Sequence, residues 1–111
     1  MPTEQSILIN LKRSDSGAFC IDFKETVRRT KHMIAFDKGL KFSQISVTDN
    51  LKTDLNYSTK DKKDLDTLIN QFFFADVQAK ADRADLAKAT TVMDLAGRIF
   101  TKYIPEANRC D

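Results

Sequence analysis

The chain has 111 residues, 41% hydrophobic and 31% charged, with a formal net charge of +2: the profile of one globular domain with a modest core, spanning 1–111. It has no apolar run of about 18 residues and no charged, apolar, small-residue leader at its start, so neither a membrane span nor classical secretion is expected, and the cytoplasm is the default compartment. One histidine and three glycines, with no Gly-rich phosphate loop, nucleophile elbow or metal-ligand spacing, argue against an enzyme and against a cofactor.

Ile7, Ile9 and Leu11 alternate with polar neighbours, and Ser14-Asp15-Ser16-Gly17 supplies turn chemistry before Phe19, Ile21 and Phe23 resume the alternation. A first hairpin is predicted. From Glu25 to Phe36 two readings stand: a helix with Val27, Thr30 and Ile34 loosely on one side, or a strand in which Arg28, Thr30, His32, Ile34 and Phe36 share a face. The β-branched residues and the Asp37-Lys38-Gly39 turn signal favour a strand from Val27 to Phe36, paired through that turn with Leu40 to Val47. Thr48-Asp49-Asn50 marks a further turn, and Leu51 to Tyr57 is the candidate fifth strand.

Beyond residue 57 the period changes. Ser58 with Asp61 three residues later resembles a capping box, and Leu65, Leu68, Ile69, Phe72, Phe73 and Val77 then fall on one helical face. A second helix is expected from about Asp82 to Ile104, one seam running through Leu86, Thr90, Met93, Gly97, Phe100 and Ile104 and an adjacent one through Val92, Leu95, Ile99 and Tyr103. Gly97 lowers helix stability by about 1 kcal/mol relative to Ala, which close approach of another backbone would explain. The predicted fold class is therefore α+β: an N-terminal antiparallel sheet of four to five hairpin-connected strands (1–57), two C-terminal amphipathic helices packed on one of its faces (58–104), and a tail (105–111).

Between Lys24 and Lys41 six cations stand against two carboxylates, so the segment is basic while the remainder is slightly acidic. The first functional expectation is a non-enzymatic protein that binds single-stranded nucleic acid on a basic strand surface, through Lys24, Arg28, Arg29, Lys31, His32, Lys38 and Lys41. Lys12 extends that surface. Its weak point is the absence of aromatic rings free to stack on bases, since Phe19, Phe23, Phe36 and Phe42 alternate as core residues do.

The second expectation is a protein-interaction module (an adaptor, an inhibitor or a self-assembling coat-type protein) working through surplus apolar helix surface. Phe73, Phe74, Val92, Leu95, Gly97, Ile99 and Tyr103 would pair with a second copy in a homodimer. Asp61, Asp64 and Asp66 do not converge on a metal, because Asp66 turns away from the other two. Cys20 and Cys110 lack Cys-x-x-Cys spacing and are either two reduced thiols, the default in a reducing compartment, or a disulfide.

Overall fold

Asp22 starts the element on which everything else packs. In the computed structural model, which describes residues 12–13, 19–73, 83–104 and 106–110, the Asp22 side chain accepts a hydrogen bond from Glu25 N at 2.7 Å and opens helix α1, Phe23–Lys38. The segment expected as a strand over 27–36 is thus a helix of 16 residues. Its β-branched threonines are accommodated by back-bonding: Thr26 Oγ1 donates to Asp22 O at 2.9 Å and Thr30 Oγ1 to Thr26 O at 2.7 Å. Each hydroxyl is satisfied on the helix's own carbonyls, so it can lie in the buried face. Thr26, Arg29, Thr30, Met33 and Ile34 are all buried, at the spacing of a single helical face.

Asp37-Lys38-Gly39, expected as a hairpin turn, ends this helix instead. Gly39 adopts φ 66°, and both its N–H and that of Leu40 bond to Ala35 O. This is the helix-terminating use of the same left-handed glycine. No second hairpin follows: Phe42–Gln44 is a 3₁₀ turn, and 45–58 is irregular chain.

The α+β expectation is overturned: the described residues are mostly helical. Among the described residues the strand pairing reduces to a two-residue antiparallel ladder, β1 (Lys12–Arg13) with β2 (Phe19–Cys20), and the isolated bridges Ile21–Arg109 and Asn50–Thr91. The ladder falls where the first hairpin is expected; Ile7–Leu11 and the turn at 14–17 lie outside the described residues.

The Ser58 cap is present as read: Ser58 Oγ accepts from Asp61 N at 3.1 Å and Asp61 Oδ2 from Ser58 N at 3.0 Å. It opens α2 (Thr59–Lys63), which gives way at Asp64 to α3 (Leu65–Phe72). The expected second long helix is divided into α4 (Arg83–Ala87), α5 (Val92–Arg98) and a π-turn, Ile99–Tyr103. Its break has a local cause. Thr91 Oγ1 accepts from Asp94 N at 3.0 Å and starts a new helix there, while the loop carbonyls Asp49 O and Val47 O take the amides of Val92 and Met93.

Helix α1 lies across α3 and α5, and one core joins them, including Met33, Ile34, Ile45, Leu51, Tyr57, Leu65, Ile69, Phe73, Leu86, Val92, Leu95 and Ile99. Two buried cations tie elements together. Arg29 donates to Glu25 Oε2 at 2.9 Å and to Phe72 O at 2.8 Å, joining α1 to the carbonyl end of α3, and Lys62 Nζ donates to Ala89 O at 2.8 Å. The cysteines are paired, Cys20 with Cys110, their Cα atoms 5.2 Å apart. Beside the bridge Ile21 N donates to Asn108 O and Cys110 N to Ile21 O, fastening the short 3₁₀ turn Glu106–Asn108 and the residues after it to the start of α1. Among the described residues no helix is long and apolar enough to cross a membrane.

Candidate functional site

On a helix the basic residues sort differently from a strand. Lys24, Lys31 and Lys38 are seven positions apart and share a face with Arg28 beside them, whereas Arg29 points the other way and is fully buried. Burial lowers the Arg29 guanidinium and its bond to Glu25 partly restores it. Burial alone would raise the Glu25 carboxyl, but bonds from Arg28, at 2.7 Å on each oxygen, and from Arg29 outweigh it and hold the carboxyl below its ordinary value. Arg28 is thereby held by Glu25, which it shares with Arg29, and Arg29 is a structural cation with no surface to offer a phosphate.

Lys38 is also engaged. Its Nζ sits 4.1 Å from the centre of the Tyr57 ring and donates to Asn56 O at 3.4 Å, while Asp37, Asp61 and Asp64 line the same shallow pocket. The Tyr57 hydroxyl donates to Asp37 at 2.7 Å; burial and that carboxylate push its pKa far above the ordinary tyrosine value. The far end of the α1 face is therefore acidic around its lysine. Lys41, past the helix end, is exposed.

The near end forms a groove. Asp22, Lys24, Glu25, Val27, Arg28, Lys31, Phe42 and Val47 enclose a concavity of about 380 Å³ between α1 and the 3₁₀ turn. Phe42 makes its wall: the His32 ring lies 4.3 Å from it, tilted by 32°, and Lys31 Nζ is 4.2 Å from its centre. Val27 and Val47 add apolar surface, and among the described residues neither Lys24 nor Lys31 has a carboxylate ion-pair partner. His32 Nδ1 is buried without a hydrogen-bond partner. Burial and the neighbouring Arg28 and Lys31 lower the imidazole pKa, with Glu25 opposing in part, so His32 is a neutral ring against Phe42.

A second concavity, about 570 Å³, continues around the start of α1 and shares Asp22 and Lys24 with the groove; Phe23, Phe100, Glu106, Arg109 and Cys110 complete it. Phe23 and Phe100 meet edge to face at 5.7 Å. Phe23 is 40% exposed. Arg109 donates to Ile104 O at 3.0 Å and Thr101 O at 2.7 Å, closing the end of the π-turn.

The residues expected to pair with a second copy lie elsewhere. Phe73, Val92, Leu95 and Ile99 are 0% exposed and Tyr103 2%, so their apolar surface is covered within one chain, and the second seam of the C-terminal helices is core. Gly97 is half-buried and a Cβ there would meet nothing within 4 Å, so no close backbone approach explains it. Phe74 lies outside the described residues. Of the groove's own wall, Phe42, Val47 and Asp22 carry no site signal in the sequence; the Asp22-x-x-Glu25 spacing, which caps the start of α1, is the legible clue to the helix. Among the described residues no cluster of three His, Cys, Asp or Glu could hold a metal ion. No family model, curated protein or solved structure matches this chain.

Proposed function

We propose that this is a non-enzymatic binding module whose groove between α1 and the Phe42–Gln44 turn receives an acidic, partly apolar segment of a partner protein. One observation carries the reading: an apolar wall of Phe42, Val27 and Val47 stands under a rim where the charges of Lys24 and Lys31 have no carboxylate partner among the described residues. Carboxylates on the partner would meet those ammonium groups, and its apolar side chains would cover the Phe42 ring. Single-stranded nucleic acid fits less well. Arg28 is held by Glu25, Arg29 is buried and Lys38 stands among aspartates, so few cations remain to follow a phosphate chain. The Cys20–Cys110 bridge favours a working compartment that oxidises thiols over the cytoplasm.

The test is selection of peptides from a random display library on the oxidised protein, counter-selected on Lys24→Glu/Lys31→Glu, with a length-matched single-stranded RNA measured in parallel. Selected peptides should be rich in Asp and Glu interleaved with apolar residues, and should lose at least tenfold in affinity on the double variant. Failure to enrich such peptides, together with salt-sensitive RNA binding that the variant abolishes, would replace this reading by the nucleic-acid one.

A further inference from the structure

The groove rim depends on how the start of α1 is held. Lys24 stands two residues after Asp22, whose side chain caps the helix, and Asp22 follows Ile21, whose N–H and C=O are both bonded to the 106–110 segment, at 2.8 and 2.9 Å. Cys20, one residue earlier, is covalently joined to Cys110. The two cysteines are not equally exposed. Cys20 is buried at 4% exposure, whereas Cys110 is half-buried and lines the 570 Å³ cleft, where Lys24 and Arg109 balance Asp22 and Glu106 so that an attacking thiolate meets no net repulsion.

We infer that the Cys20–Cys110 bridge is a redox control on the groove, opened through the Cys110 cleft. The inference rests on the groove being the binding site. A dithiol reductant is the co-reactant: its thiolate attacks Cys110 Sγ, the S–S bond breaks, and Cys20 leaves as a thiolate that takes up a proton. The reductant's second thiolate then displaces Cys110, so the reductant ends as a disulfide and the protein as two thiols. The 106–110 segment is left held by backbone hydrogen bonds and the Arg109 contacts alone, the cleft loses its fixed wall, and the helix start bearing Asp22 and Lys24 loses its covalent anchor. Helix α1 beyond its first turn stays packed on α3 and α5 through Met33, Ile34 and the Arg29 bonds, none of which involves the bridge.

Amide hydrogen exchange and affinity for a display-selected acidic peptide, measured on the oxidised protein, the dithiol-reduced protein and Cys20→Ser/Cys110→Ser, test this together. Expected are retained helical circular dichroism, loss of protection confined to Ile21 and Cys110 and their neighbours, and at least a tenfold fall in peptide affinity in both bridge-free forms. Unchanged protection, or global unfolding on reduction, overturns the inference, the latter making the bridge a fold staple. Released protection with unchanged affinity overturns the control while leaving the groove standing. No affinity in the oxidised protein overturns the groove itself and the control with it. Lys31→Ala, which keeps the bridge, separates the arms, since it should weaken binding with protection at Ile21 and Cys110 intact.

Discussion

Arg29 and Lys31 stand two positions apart on α1, and the helix sends one into the core and the other to the groove. On a strand they would share a face; on a helix two positions turn through roughly 200°. Inside, the cation is matched by Glu25 and by the Phe72 carbonyl at the end of α3. Outside, Lys31 rests on the Phe42 ring with its charge still open to a ligand. The same basic residue type therefore serves packing on one side and recognition on the other. Backbone period, more than composition, decides which.

The sharpest test of that division is Arg29→Ala. It leaves Glu25 with Arg28 alone, the Phe72 carbonyl without its donor and a cavity at a fully buried position, and should cost about 2–5 kcal/mol in urea unfolding. A loss under about 1 kcal/mol would mean that Arg29 is not structural. On the outward side of α5, Gly97→Ala should stabilise by about 0.5–1 kcal/mol, because the helix gains propensity and the new methyl meets no neighbour. Destabilisation would instead show that another surface approaches there.

His32 stands between the two regions and its titration has a definite sign. Its folded pKa lies below the ordinary value, so the unfolded chain binds the proton more readily, and stability should fall as pH drops from about 6.5 toward the folded value. Glu25, also depressed, adds its own loss only below its unfolded value, near 4.5, so the two windows are separable. His32→Phe, which keeps a ring against Phe42, should remove the upper slope in thermal melts taken between about pH 5 and 7. A slope that persists would assign it to another group. The smallest expected effect is on the rim: Lys24→Ala and Lys31→Ala should each change stability by less than about 0.5 kcal/mol, while weakening peptide binding. A large stability loss there would erase the contrast with Arg29.

After residue 57 the first helix start and its core face are legible because their signals are local, while the two long helices expected there are broken at Asp64 and before Thr91. The Ser58–Asp61 cap and the apolar set Leu65, Ile69 and Phe72 each need only neighbouring residues to act. The segment 25–36 misled for a physical reason: Thr26, Val27, Thr30 and Ile34 favour a strand in isolation, and the back-bonds that admit the threonines to a helix exist only once the helix has formed. Two caps with the same spacing, Asp22 before Glu25 and Thr91 before Asp94, were the missed counter-signals. Gly39 was rightly singled out as a turn residue, yet a positive φ suits a helix end as well as a hairpin. The groove and the disulfide were not readable in advance, since both depend on where the fold brings distant segments: Phe42 against Lys31, and residue 110 against residue 20.

The carbonyls of Val47 and Asp49, which close the first turn of α5, bear on how the chain assembles. A helix of seven residues is too short to persist alone in water, and this one has its opening amides completed by a loop from much earlier in the sequence. The two must meet before either is stable, so α5 and the 46–51 segment should become ordered in one step, and that step carries the entropy of closing everything between them. An irregular loop would then exchange its amide hydrogens as slowly as the helix it holds.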